Sequence, residues 1–207
     1  MIYRADELDS KQNYKLIAGS VLPRPIAFVS TLSENGIQNL APFSFFTAIT
    51  AHPPTVCFAS SRRSGGSTKK DTLYNIESNG EFVINVVTEN IVEQMHLTGG
   101  EFAPDVDEFV LSGLTPAPSV SVKPPRVAES PINLECKLYK TVDIGDGQAG
   151  SGTLIIGEII IYHIADGLLS HDQIDSTLLK PVGKMAGMEY TTAGQRFMVE
   201  QNKRRKP

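Results

Sequence analysis

Apolar residues in this chain come in short runs bounded by Gly, Pro and Asn, which is the pattern of strands rather than of long helices. Residues 26–31 form one such run, and Pro23 and Pro25 force an extended path into it. Further strands are predicted over 39–46, 55–60, 81–87, 132–142 and 153–164. The segment 155–161 is so apolar that both of its faces are expected to be covered. Within 39–46 a period of two places Phe43 and Phe45 on one face and Ser44 and Phe46 on the other. Asn35-Gly36 marks a tight hairpin turn, because both residues tolerate positive φ.

Helical periodicity is weaker. It predicts a helix around 14–18 closed by Gly19, and a second over 73–78 with Asp71 or Thr72 as N-cap and Asn79-Gly80 as the stop. A third, over 89–97, turns Ile91, Val92, Met95 and Leu97 inward. Another piece lies at 172–178. Residues 101–131 carry six prolines and read as a long loop, placed to shape the way in for a second substrate. The sum is a mostly β protein, an antiparallel barrel with short peripheral helices, in one domain spanning 1–207 with a disordered tail at 201–207.

Composition narrows the partners. With 41% hydrophobic and 20% charged residues in 207, the chain can bury a substantial core. A net charge of −4 argues against duplex nucleic acid, which needs a broad basic face. No apolar run approaches a membrane span and no leader opens the chain, so a cytoplasmic protein is expected. Cys57 and Cys136 sit in apolar strands and read as buried small hydrophobes in a reducing compartment.

Against this acidic average, residues 60–72 gather Ser60, Ser61, Arg62, Arg63, Ser64, Gly65, Gly66, Ser67, Thr68, Lys69, Lys70, Asp71 and Thr72 just ahead of a helix. Such a run suits either a solvated basic loop or an anion site. The apolar slab before it and the helix start after it favour the second: helix N–H groups, hydroxyls and cations converge on a phosphate, with room for a flat body beside it. Gly145, Gly147 and Gly150 spell a dinucleotide fingerprint, but between two strands they read as a hairpin loop. The four histidines have no metal-binding spacing. His163 reads as a hydrogen-bonded core or interface residue, and His96 stands at a helix end beside Gly99-Gly100, where it can face a ligand. No side-chain constellation for acid–base or nucleophilic catalysis is present, so no catalytic residue is assigned.

Three segments in order carry a resemblance: 24–31, then Asn35-Gly36 with 39–46, then Pro53-Pro54 followed by Lys70, Asp71, Thr72, Asn75 and Ile76. With 82–85 they resemble the flavin reductase-like FMN-binding split-barrel family. The segment Gly183, Lys184, Met185, Ala186, Gly187 and Tyr190 is similar to that family's Arg-Leu-Gly-Gly-x-x-Tyr ending, with Lys184 in place of the arginine and Ala186 in place of the first glycine. The resemblance implies a homodimer of split barrels binding FMN, with FAD as a possible substitute. It implies ring contacts from Ser30, Asn39, Leu40, Ala41, Pro42, Phe43 and Ser44, and phosphate contacts from Ser60, Ser61, Arg62, Lys70, Asp71 and Thr72. The implied activity is reduction of flavin by NADH or NADPH, in service of a monooxygenase or another electron acceptor. Some members instead hold FMN as a flavoredoxin-like electron carrier.

Overall fold

The structure is a computed structural model describing residues 1–63, 66 and 68–199. Ser64, Gly65 and Ser67 of the hydroxyl-rich loop, and the tail at 201–207, lie outside the described residues. In chain order the elements are α1 (Ser10–Ser20), β1 (Ala27–Leu32), β2 (Gln38–Phe43), β3 (Phe46–Ala51), β4 (Pro54–Ser61), α2 (Asp71–Asn79), β5 (Glu81–Val86) and α3 (Val92–Leu97). Then come α4 (Glu108–Ser112), the ribbon strands β6 (Pro116–Ala117) and β7 (Arg126–Val127), and the long strands β8 (Ile132–Ile144) and β9 (Gly152–Ile164). The last segment holds β10 (Leu169–Ser170), β11 (Gln173–Ile174), α5 (Ser176–Leu179), β12 (Val182–Lys184) and β13 (Tyr190–Thr192).

Seven strands form one sheet in the order β2-β1-β5-β8-β9-β4-β3, with every neighbour antiparallel. Its two edge strands, β2 and β3, are joined only through Ser44 and Phe45. A sheet whose edges are consecutive in the chain must curl until they meet. The Ala59 N–H donates to the Phe45 carbonyl at 2.9 Å, which carries the β3–β4 ladder one residue into that link. The expected antiparallel split barrel is therefore what the chain forms.

Two apolar clusters sit on either side of β1. Ala27 and Val29 face the barrel interior with Phe43, Phe58, Phe82 and Ile155, whereas Ile26 and Phe28 face outward beneath Met95, Phe109 and Val127. The interior depends on one absent side chain. A Cβ on Gly157 would lie 2.3 Å from Phe82 Cζ, so only glycine leaves room for that ring.

Several expectations need correction. Strand β3 has no counterpart in the sequence pattern, because its residues after Phe46 are exposed and present no buried face. The alternation across 39–46 fails because β2 stops at Phe43 and the chain bends at Ser44 and Phe45. Phe46 then packs with Phe43 on the interior, while Phe45 turns out to stack on Tyr14 of α1. Strand β9 buries one face only; Leu154, Ile156 and Ile160 remain half-buried on the outer side. The span 101–131 is no simple loop, since Phe109, Leu114, Val122 and Val127 are buried anchors between its prolines. Glu135 holds its far end, accepting N–H bonds from Val120 and Ser121 at 2.7 Å each and pairing with His163 at 2.6 Å. The helix expected over 89–97 shortens to α3, with Leu97 exposed, and 172–178 resolves into a tight hairpin followed by the single turn of α5. Among the described residues no helix is long and apolar enough to cross a membrane.

Candidate functional site

The start of α2 faces the barrel seam across a narrow recess. Its walls come from Asn39, Ala41 and Pro42 of β2, from Arg63, Lys70, Asp71 and Thr72, and from 98–102 after α3, with Glu108 of α4 at the base. The N-cap is Lys70, not Asp71 or Thr72, and among the described residues no side chain caps the helix. Both expected caps are engaged elsewhere: Asp71 is ion-paired with Arg63, and Thr72 donates to Asn39 Oδ1 at 2.8 Å. Uncapped first-turn N–H groups and the helix dipole make this end receptive to an anion. Lys70 reinforces it. Burial pushes its ammonium below the usual lysine range, with Glu101 opposing and Arg63 adding to that shift. A desolvated cation of this kind gains most from an anionic ligand.

Asn39 is the junction of the recess. Its amide donates to Glu108 Oε1 at 2.9 Å, and its carbonyl oxygen accepts from Thr31 as well as Thr72. Glu108 also accepts the Leu40 N–H at 3.1 Å. Burial raises the Glu108 carboxyl to about 7, and Asp71 adds to the rise; the Leu40 N–H and the Asn39 amide work against it. A carboxyl at about 7 is about half protonated at neutral pH, which lessens the charge that would repel a phosphate.

Across Pro42, Gly99 and Gly100 the recess adjoins a second cavity of about 560 Å³. Tyr14, Ile26, Met95, Leu97 and Met188 supply apolar walls, and Ser44, His96, Lys184 and Tyr190 supply polar atoms. A Cβ on Gly100 would lie 2.9 Å from Phe102 Cζ, so a larger residue there would displace that half-buried ring from the recess wall. Arg24, itself buried, fixes the outer wall. Its guanidinium donates to the carbonyls of Ala18, Val21 and Met185 and to Ser44 Oγ, tying α1, the 185–188 turn and the end of β2 together.

A profile of the family described as "Flavin reductase like domain" matches residues 19–179. The chain belongs to this flavin reductase-like family. An uncharacterized protein of Halalkalibacterium halodurans is 42% identical over 94% of this chain and 93% of its own length. Another, from Aquifex aeolicus, is 40% identical over 93% and 96%. Among solved structures, nitrilotriacetate monooxygenase component B from Bacillus cereus superposes with a TM-score of 0.91 at 33% identity, covering 96% of this chain and 98% of that one. The 2-nitrobenzoate 2-nitroreductase of Pseudomonas fluorescens superposes with a TM-score of 0.88 at 31% identity, covering 100% and 99%.

Of the residues that the flavin reductase-like pattern points to, Asn39, Ala41, Pro42, Lys70, Asp71 and Thr72 meet in the recess. Ser44 lines the larger cleft. Phe43 belongs to the barrel interior, with the Lys70 ammonium 5.6 Å from its ring centroid, and Leu40 is buried under α3 and α4. Ser30 is spent on the Pro125 carbonyl at 2.5 Å. Arg62 turns to Thr153 and Asp143 of the long strands, and Ser61 is exposed. Ser60 is fully buried and its hydroxyl has no partner among the described residues. Three contributors carry little sequence signal. Arg63 is one cation among four in its loop, Glu108 lies on a helix inside a proline-rich span, and Lys184 comes from the far end of the chain.

Proposed function

We propose that the protein binds FMN, with the phosphate in the recess and the ring system in the adjoining cleft, and acts as an NAD(P)H-dependent flavin oxidoreductase. The continuity of the two cavities carries this reading. A desolvated lysine and an uncapped helix start adjoin, across Gly99 and Gly100, an apolar cleft of about 560 Å³. A cavity of roughly 150 Å³ holds a benzene, so three fused rings fit there.

Lys70 and the first turn of α2 would hold the phosphate, with Arg63 oriented by Asp71 beside them. Backbone N–H groups along 41–44 would face the polar edge of the ring and answer charge that develops on reduction. A flavin bound there would supply the redox chemistry, accepting a hydride from a nicotinamide. Ile26, Met95 and Pro42 exclude water, and Arg24 keeps the 185–188 turn in place as a wall. No side chain is needed as acid or base for that transfer.

The likeness to a monooxygenase component B supports a role in supplying reduced flavin to a separate oxygenase. The half-buried outer face of β9 and the exposed apolar residues Ile17 and Val21 of the α1 end support a homodimer, and sedimentation analysis tests it. The deciding experiment is the visible spectrum of the purified protein, followed by release of the chromophore and mixing with NADH or NADPH plus FMN. A flavin spectrum with rapid loss of nicotinamide absorbance is expected. A flavin that binds while nicotinamide persists would leave an electron carrier, and no bound flavin would overturn the reading.

A further inference from the structure

The larger cleft has room for more than a flavin. At roughly 150 Å³ per aromatic ring, three fused rings fill about 450 Å³ of the 560 Å³ present. About 110 Å³ remains, less than the roughly 150 Å³ of a full ring. Fused rings share atoms, however, and fill less than three separate ones, and the cavity is open to solvent, so one more ring can sit partly in its mouth. Among the described residues no aspartate or glutamate lines the cleft, and its one lysine is Lys184. The Lys184 ammonium donates to the carbonyls of Gly187 at 2.6 Å and Glu189 at 3.2 Å, and lies 4.2 Å from the Tyr190 ring centroid. An ammonium has three hydrogens, so one is left over. Among the described residues Lys184 is in no ion pair with a carboxylate. Burial and then Arg24 push its pKa down, opposed only by Glu189, so the site lacks the counter-charge it would gain from an anion. Beside it the Tyr190 hydroxyl is held by His96 Nδ1 at 2.9 Å, which fixes a second polar atom at the cleft wall. Met95 and Met188 supply soft thioethers suited to aromatic contact.

We infer that the cleft takes, next to the flavin ring, a single-ring aromatic carboxylate, with Lys184 as its charge partner and Tyr190, oriented by His96, as its hydrogen-bond partner. The inference rests on the flavin reading for the space it assigns. One remaining hydrogen on one ammonium suits a monoanion. The phosphates of a dinucleotide call for several donors and more than one cation. The acid and the nicotinamide ring compete for one place.

Benzoate and benzamide are the probes, titrated calorimetrically into the FMN-loaded protein and into Lys184→Gln, Lys184→Arg and Tyr190→Phe. Benzoate binds the wild type roughly tenfold or more tightly than benzamide, the worth of one charge-assisted bond. Lys184→Gln erases that preference, Lys184→Arg keeps it, and Tyr190→Phe weakens both probes. Benzamide binding as well as benzoate, or a preference that survives Lys184→Gln while circular dichroism shows the fold intact, overturns the inference. Loss of the preference in Lys184→Arg as well as in Lys184→Gln also overturns it, since the hairpin and not the charge would then be responsible. Titrations of FMN and of benzoate into the flavin-free wild type separate the two readings. FMN failing to bind while the benzoate preference persists sinks the flavin assignment and spares the anion pocket, and FMN binding without any benzoate preference does the reverse.

Discussion

Replacing Lys70 with Met isolates the charge on which the proposed phosphate binding depends. Methionine keeps a flexible apolar stem of similar length next to the Phe43 ring, so the packing there changes little. Arg63 is already committed to Asp71, which leaves Lys70 as the main cation available to a phosphate, with Glu101 as the acid opposing it. A charge-assisted hydrogen bond contributes about 1.5–3 kcal/mol. The recess is narrow and half-closed, so the middle of that range applies, and about 2 kcal/mol corresponds to roughly a 30-fold rise in the Kd for FMN. Flavin fluorescence titrations with FMN and with riboflavin, at low and at physiological ionic strength, measure it. FMN loses affinity and riboflavin does not, and the difference shrinks as salt screens the wild-type contact. Equal losses for both flavins would mean the substitution damages the ring cleft instead, and an unchanged Kd for FMN would remove Lys70 from the phosphate site.

Three other outcomes follow from the same geometry. Because Glu108 is raised from 4.5 to about 7, the unfolded chain loses this proton before the folded protein does; stability therefore falls as pH rises from about 4.5 through 7. Glu108→Gln flattens that slope in urea unfolding, and its FMN affinity relative to wild type improves only above about pH 7. Arg24→Met strips four hydrogen bonds from buried or half-buried partners and lowers unfolding free energy by about 3 kcal/mol, read from the urea midpoint. Gly157→Ala overpacks the interior against Phe82 and lowers stability by about 2 kcal/mol, and Phe82→Leu in the same chain restores part of it.

Six of the seven sheet strands can be read from the chain because each has a buried face that imposes a pattern on its residues. Strand β3 cannot, since it is held by pairing to β4 and its side chains stand in solvent. The basic, hydroxyl-rich loop is legible for a different reason: its cations and hydroxyls are neighbours in sequence, so clustering alone marks them. Its orientation was not legible. Arg62 and Arg63 are adjacent, yet one turns to Asp143 on β8 and the other to Asp71 at the recess. An extended backbone sends successive side chains to opposite sides, and only the fold decides which side faces the site. Glu108 and Lys184 reach their cavities through tertiary contacts. A glutamate on a five-residue helix looks like an ordinary surface residue until packing closes around it, and Lys184, marked only as standing in place of the arginine of the family's C-terminal motif, shows its cavity only in the fold.

The barrel's closure and the site's formation have a common cause. The edges β2 and β3 must meet because only Ser44 and Phe45 separate them, and β2 brings Pro42 to the boundary shared by both cavities. The same seam places Ser44 under Arg24, which in turn holds the turn carrying Gly187 and Met188 against the cleft. On the other side α3 packs outside β2, and its end delivers Gly99 and Gly100 to the same boundary. Recess and cleft are thus adjoining sides of one seam in the sheet. A ligand with a flat ring at one end and a phosphate at the other matches that seam in shape and in charge, and neither half of the site would suffice to select it alone.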